Sequence, residues 1–350
     1  MKQPSTTPPS LRFGTNISHW LSQSSLSREV LRSWFKEDDI RRIADWGMDH
    51  IRLPVDYPLL ENDGFTGHFN MEGFGWIEKA IDWCDRHGLN MILDMHCLPG
   101  HHFQHEYLEY NTIWDSDSPH RRRSVNIWKF LAHSVQAPHV VFELLNEPVA
   151  PVDEQWNSLA DQLHRAIREQ NKTQWIMIGS NRWNHAHTFR TLHPVDDPAI
   201  MYTFHLYEPF LFTHQNAEWV PEMRLLHGDT VPYPGPFDHP ILQNDSSNPI
   251  RYDFMSAQPY GYSFLERIIE PVIDFQKLNN VRCYCGEFGC ISYAPAADKL
   301  RWYKDICRLF SNHGIGFSNW NYRSDNFGIV TSKNTIDTAT IKTMRQAAGL

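Results

Sequence analysis

The residues best placed to do chemistry in this chain are two glutamates, Glu147 and Glu287, each set where an apolar run gives out. Residues 140–145 are almost continuously apolar, the composition of a strand covered on both faces. Asn146 and Glu147 follow, and Pro148 cannot continue the strand as a central ladder member. Residues 281–287 read as a second strand, ending in Gly286-Glu287-Phe288-Gly289. In α/β proteins the carboxyl ends of buried strands are where ligands bind. Two carboxylates on two such ends are what acid/base chemistry at a glycosidic bond requires, one holding a proton while the other is ionised.

Carrying the two groups to one place takes a scaffold, and the rest of the chain spells one. Short apolar runs at 12–17, 49–54, 89–95, 139–145, 175–178, 199–204, 281–287 and 316–320 read as eight strands. Helical spacing of apolar residues falls between most of them, at 35–46, 74–84, 124–133, 156–167, 264–275 and 300–310, with a closing helix at 337–347. Alternating strands and helices without a break in composition predict an α/β fold, a single-domain (β/α)8 TIM barrel over 12–350. Residues 1–11, rich in Pro, Ser and Thr, are a flexible lead-in. A long loop insertion at about 213–260 is rich in Pro and Gly yet carries Trp219, Leu225, Leu226, Tyr233, Phe237, Ile241, Leu242, Tyr252 and Phe254. That is enough apolar mass to pack. Because it leaves the barrel just after residue 207, it is expected to fold over the mouth and wall off part of the cleft, the alternative being that it packs on the barrel flank and touches no sugar.

Polar residues collect at the predicted strand ends: Arg52, His96, Asn146 with Glu147, His205 with Tyr207, Glu287, and Trp320. Arg52 lies inside an apolar run, so it needs an anionic partner. His101 and His105 would share a face on a helix, as metal ligands do, but Pro99-Gly100 puts them in a loop, and neither a metal nor a cofactor is expected. Thirteen tryptophans is a high count; most tryptophans in any chain simply pack, but a surplus often serves as a stacking platform for sugars.

Several classes are set aside. The net charge is −9, and Arg121-Arg122-Arg123 is too short a basic run for nucleic acid and reads as the solvated opening of a helix. No apolar run is long enough to span a membrane. The first residues lack the apolar stretch of a signal peptide, so the chain as written reads as cytoplasmic, or as the mature form of a secreted protein. Cys283 and Cys285 share a strand face and read as small buried thiols of a reducing compartment. The oligomeric state is not specified by the sequence.

The ordered set Arg52, His96, Asn146-Glu147, His205-Leu206-Tyr207, Glu287 and Trp320 resembles glycoside hydrolase family five, the cellulase-like retaining barrels of clan A. The resemblance runs over nearly the whole chain after residue 11. It implies a β-linked oligo- or polysaccharide substrate, most specifically an endo-β-1,4-glucanase, with mannanase, xyloglucanase and exo-acting β-glucosidase as neighbouring activities and a carbohydrate-binding barrel without catalysis as the non-enzyme alternative. It further implies Glu287 as nucleophile and Glu147 as acid/base, with Arg52 and Tyr207 keeping Glu287 ionised. Asn146 then faces the sugar 2-hydroxyl, His205 orients the carboxylates, His96 meets a hydroxyl and Trp320 floors the site. Asn16 and Trp20 are further substrate candidates.

Overall fold

The computed structural model describes residues 8–220, 223, 228–236 and 260–350. Eight parallel strands close into a barrel in chain order: β1 (Phe13–Asn16), β2 (His50–Asp56), β3 (Asn90–Cys97), β4 (Val140–Glu143), β5 (Trp175–Gly179), β6 (Ile200–Leu206), β7 (Arg282–Phe288) and β8 (Gly316–Asn319). The predicted fold class is the observed one. The strands are buried on both faces because each separates two cores. Outward residues such as Ile51, Leu53, Phe142 and Ile178 pack against the surrounding helices. Inward ones form a smaller cluster of Leu11, Ile92, Val141, Trp175, Met177, Met201 and Tyr284.

Helix boundaries follow local capping more than the apolar spacing from which they were predicted. The helix read at 124–133 runs over Pro119–Ser134, because Ser118 caps it and Pro119 fills the first turn. Its arginines are not a solvated face: Arg121 is buried, and Arg123 binds Glu61 and Asp63, each at 2.8 Å. Helices Met71–Arg86 and Thr338–Ala347 are likewise capped, by Asn70 and Asp337. Between β5 and β6 the chain makes only short turns, Asn181–Asn184 and Ala186–Arg190. Arg182, Trp183 and Asn184 all have positive φ (52°, 60° and 55°), which ends any helix at once.

Of the predicted insertion, Leu225, Leu226, Phe237, Ile241, Leu242, Tyr252 and Phe254 lie outside the described residues. The described parts divide in two. Trp219 and Val220 face the cleft. Residues 228–236 sit on the barrel flank, where Tyr233 donates from its backbone N–H to Asp298 (3.0 Å) and from its hydroxyl to Asp305 (3.0 Å), both on helix Ala296–Asn312.

A Ser-His-Asp array lies inside the barrel: Asp49 Oδ1 to His50 Nδ1 at 2.6 Å, and His50 Nε2 to Ser318 Oγ at 3.2 Å, with the Tyr284 hydroxyl 2.6 Å from the same nitrogen. His50 and Ser318 have no exposed surface, so the array knits β2, β7 and β8 together and has no route to a substrate. All six cysteines are unpaired; five are buried and Cys97 is half-buried.

Candidate active site

Arg52 is the hub of the barrel interior. It is wholly buried, and all five of its N–H groups find acceptors. Nε and Nη2 form a fork on Glu143 (2.7 and 2.9 Å), Nη2 also reaches Asn146 Oδ1 (2.9 Å), and Nη1 donates to Asn16 Oδ1 (3.0 Å) and Glu287 Oε1 (2.8 Å). Asp94 Oδ2 lies 3.0 Å from Nη2. The anionic partner that the sequence demanded is therefore three carboxylates. Only Glu287 had been singled out; Glu143 and Asp94 carried the same signal as Arg52, a charge inside an apolar strand.

Glu287 is aimed by the backbone. Phe204 pairs with Cys285 but His205 pairs with Glu287, so Gly286 is an extra residue bulged out of the β6–β7 ladder. A Cβ on Gly286 would fall 2.8 Å from Thr203 Oγ1. A Cβ on Gly289 would fall 2.4 Å from the Trp320 carbonyl oxygen. Only glycine fits on either side of this glutamate. The Tyr207 hydroxyl donates to its other oxygen, Oε2, at 2.9 Å.

Glu147 arrives differently. β4 closes at Glu143, two residues earlier than predicted, although Leu144 and Asn146 still donate to the Met177 and Met95 carbonyls. The chain then turns through a left-handed Glu147 (φ 45°), a conformation that costs a non-glycine residue about 1–3 kcal/mol. His205 bridges the two glutamates, its Nδ1 lying 2.9 Å from Glu147 Oε1 and 3.6 Å from Glu287 Oε2. The Asn184 amide meets His205 Nε2 at 3.2 Å, so Nε2 accepts and Nδ1 carries the proton. Burial, then the Arg52 charge, hold His205 well below the usual imidazole range, which keeps the ring neutral. One oxygen of each glutamate and a ring nitrogen of His205 lie within 4.8 Å of one another.

The two carboxyls sit in unlike fields. Burial lifts Glu147 well above the ordinary range, and the Glu287 charge lifts it further. Burial also raises Glu287, but Arg52 foremost, with His96 and the Tyr207 hydroxyl, pulls it back. Two polar atoms face the cleft without a protein partner among the described residues: His96 Nε2 and Asn146 Nδ2. Each is oriented from behind. Asp94 Oδ2 takes the proton of His96 Nδ1 at 2.8 Å, leaving Nε2 a bare acceptor, and burial keeps the ring neutral by lowering its pKa to about 4. Arg52 holds the Asn146 oxygen, turning its NH2 outward. Trp320 lies parallel to His96 with ring centroids 5.8 Å apart.

These groups line a cavity of about 460 Å³ that continues past Phe103, Trp183, His185, Glu208 and Trp219. A second hollow of about 300 Å³ shares Tyr207, Trp219 and Trp320 with the first and extends to His19 and Asn326. Among the sequence candidates, His96, Asn146, Glu147, His205, Tyr207, Glu287 and Trp320 line it, and Arg52 lies behind them, bonded to Glu287 and Asn146. Asn16 and Trp20 do not contact the cavity. The Asn16 amide is spent on Arg52 and on the Gly286 carbonyl (2.9 Å), so it steadies the hub. Trp20 is fully buried against Phe35 and Trp83, its Nε1 donating to the Leu31 carbonyl. Phe103, Trp183, His185 and Glu208 were missed, because residues on loops carry no periodicity that marks them.

A family profile described as Cellulase (glycosyl hydrolase family 5) matches residues 13–326. The chain is 36% identical over 326 residues to Endoglucanase C of Acetivibrio thermocellus, covering 91% of this chain and 93% of that one. It is 32% identical to Cellodextrinase A of Ruminococcus flavefaciens, covering 86% and 82%. Among solved structures, that of Cel5A from Thermotoga maritima with cellobiose superposes with a TM-score of 0.75 at 21% identity, over 95% of this chain and 97% of that one. Profile, relatives and fold agree over the span that holds every strand of the barrel, and the chain belongs to glycosyl hydrolase family 5.

Proposed function

We infer that the chain is a retaining endo-β-1,4-glucanase that works by double displacement. The observation that carries this is the pair of buried glutamates across one cleft, bridged by His205 and placed in opposite fields. One oxygen of each lies within 4.8 Å of the other, in keeping with the short carboxyl spacing of about 5–5.5 Å in retaining enzymes. Glu287, beside Arg52 and Tyr207, attacks the anomeric carbon. Glu147, protonated by virtue of its surroundings, gives its proton to the leaving oxygen and then takes one from water. Asn146 Nδ2 donates to the sugar 2-hydroxyl oxygen, His96 Nε2 accepts from a neighbouring hydroxyl, and the Trp320 face lies against ring C–H groups. The β-1,4-glucan assignment and the endo action rest on the 36% identity to an endoglucanase. Product analysis on β-glucans, mannan, xyloglucan and aryl glycosides tests it: cellulose-derived oligomers cut internally support it, and turnover of mannan alone overturns it.

The relative named cellodextrinase favours short soluble chains within the same activity, and Trp219 at the cavity rim is the described residue placed to meet them. Trp219 is 51% exposed at the cavity rim and 6.3 Å from Phe327. Its replacement by alanine is expected to lower kcat/KM on cellotetraose by about 5–10-fold, as loss of an aromatic contact worth about 1 kcal/mol does, while activity on polymer changes less. Equal losses on both would place Trp219 outside the substrate path.

The pH profile of kcat/KM is expected to be a bell with an acidic to near-neutral optimum. Activity falls on the acid side as Glu287 takes up a proton and on the basic side as Glu147 loses one. Because burial raises both groups, both limbs stand above the ordinary carboxylate range. A rate still climbing at about pH 9 would contradict this pairing.

A further inference from the structure

The histidine-rich turn after β3 has a member that does not line the cleft. His101 is 1% exposed and does not line the cavity, yet its Nε2 lies 3.2 Å from the backbone carbonyl oxygen of Glu147. A carbonyl can only accept, so Nε2 carries the proton and donates. Its Nδ1 has no partner among the described residues. The ring is clamped edge-on by Trp114, with centroids 5.7 Å apart and planes at 86°. Burial lowers its pKa to about 3, so the ring stays neutral and the donor stays on Nε2. The carbonyl it holds belongs to the one active-site glutamate whose backbone is left-handed. The next carbonyl, that of Pro148, accepts from the Trp183 N–H at 3.1 Å. Two successive peptide groups are thus pinned from opposite sides, from the β3 loop and from the β5 loop, at the turn that points Glu147 into the cleft.

We propose that His101 is a positioning residue for the acid/base: it holds the Glu147 peptide in the left-handed turn, so that the carboxyl stands at the leaving-group oxygen. This rests on the reading of Glu147 as the proton donor. It follows that His101 matters for steps that need a proton delivered and not for nucleophilic attack itself. Glu287 and its partners Arg52 and Tyr207 have no contact with His101, so substitution leaves the nucleophile in place.

The test compares kcat/KM for two aryl β-cellobiosides, a phenyl glycoside that needs acid assistance to depart and a 2,4-dinitrophenyl glycoside that does not. For His101→Phe, the loss expected on the phenyl substrate is about 30–100-fold, the scale of a catalytic group misplaced by about 1 Å, against about 3-fold or less on the dinitrophenyl substrate. His101→Gln, whose amide can still donate toward the Glu147 carbonyl, is expected to recover most of the loss. Near-uniform losses on both substrates, in a Phe variant whose circular dichroism and melting match the parent, overturn the proposal. So does a Gln variant no better than Phe. Glu147→Ala, run alongside, separates this failure from a deeper one. If Glu147→Ala shows the leaving-group contrast and His101→Phe does not, the positioning role is wrong. If Glu147→Ala lacks the contrast, the acid/base reading itself is wrong.

Discussion

Replacing Glu287 by alanine is expected to abolish turnover of every β-glucoside, by a factor on the order of 10⁵ or more, because it removes the group proposed to take the anomeric carbon. Replacing Glu147 by alanine is expected to fail differently. On glucan the loss should be about 10²–10⁴, the usual share of general acid/base assistance. On a dinitrophenyl cellobioside the first step should survive, since the leaving group departs unaided and Arg52 and Tyr207 still hold Glu287 ready at 2.8 and 2.9 Å. The covalent intermediate then accumulates for want of a base. Azide, which needs no base, should restore turnover and yield the β-azide. Any azide rescue of the Glu287 variant must instead come from the face that Glu287 left open and yield the α-azide. Chromatographic identification of the two anomers is the measurement; the same anomer from both variants would reverse or refute the roles.

The second large effect concerns Arg52, among the described residues the one cation paired with Asp94, Glu143 and Glu287 together. Arg52→Leu leaves three buried carboxylates without it. Breaking a buried pair by removing one partner costs about 3–5 kcal/mol, and here the orphaned side is larger than a single charge. The loss should depend on pH, with a sign fixed by the protonation equilibria. Asp94 and Glu143 are already pushed to about 7 by burial, against the pull of Arg52. A carboxyl raised in the folded state binds its proton more tightly there than when unfolded, so its contribution falls as pH rises from the unfolded value through the folded one. Without Arg52 both groups rise further. The variant should therefore come close to the parent's melting temperature near pH 5 and fall progressively below it toward pH 8. Arg52→Lys should retain part of the stability but little of the activity, since an ammonium cannot fork onto Glu143 and reach Glu287 at once. Melting curves at several pH values check both statements; a deficit constant from pH 5 to 8 would mean that the carboxyls are not titrating against Arg52.

Much of this site could be read from the chain because a parallel barrel imposes a strong rule. A strand covered on both faces must be apolar, so Arg52, His96, Glu147, His205 and Glu287 stand out by breaking the run or ending it. The same rule should have flagged Asp94 and Glu143, which are equally out of place. They were passed over because each sits two to four residues short of a more conspicuous polar group. Asn16 and Trp20 failed for a different reason. An amide beside a strand end and an indole just beyond it have the same composition whether they face a sugar or a core, and only the pleat and the packing decide. Trp183 shows the limit from the other side. Its place in the cleft depends on three successive left-handed residues, held by the Asn181 amide on Ala150 and by Trp183 Nε1 on the Phe103 carbonyl. Nothing in Arg182-Trp183-Asn184 announces that conformation beyond an asparagine that tolerates it.

The unpaired cysteines give the molecule a set of built-in probes of its own opening. Burial raises the thiols of Cys84, Cys283 and Cys290, so in the closed protein they are protonated and out of reach of an alkylating reagent. They are spread over distinct layers: Cys84 on helix Met71–Arg86, Cys307 on helix Ala296–Asn312, and Cys283 and Cys285 in β7. Reagent can reach each only when its own layer lifts, so the order of labelling traces the order in which the barrel comes apart. Cys285 is the most informative, since its Sγ donates to the backbone carbonyl of Glu287 at 3.2 Å. The rate at which it is capped measures how often the strand that carries Glu287 breathes, and a sugar seated in the cleft would be felt there as a slower clock.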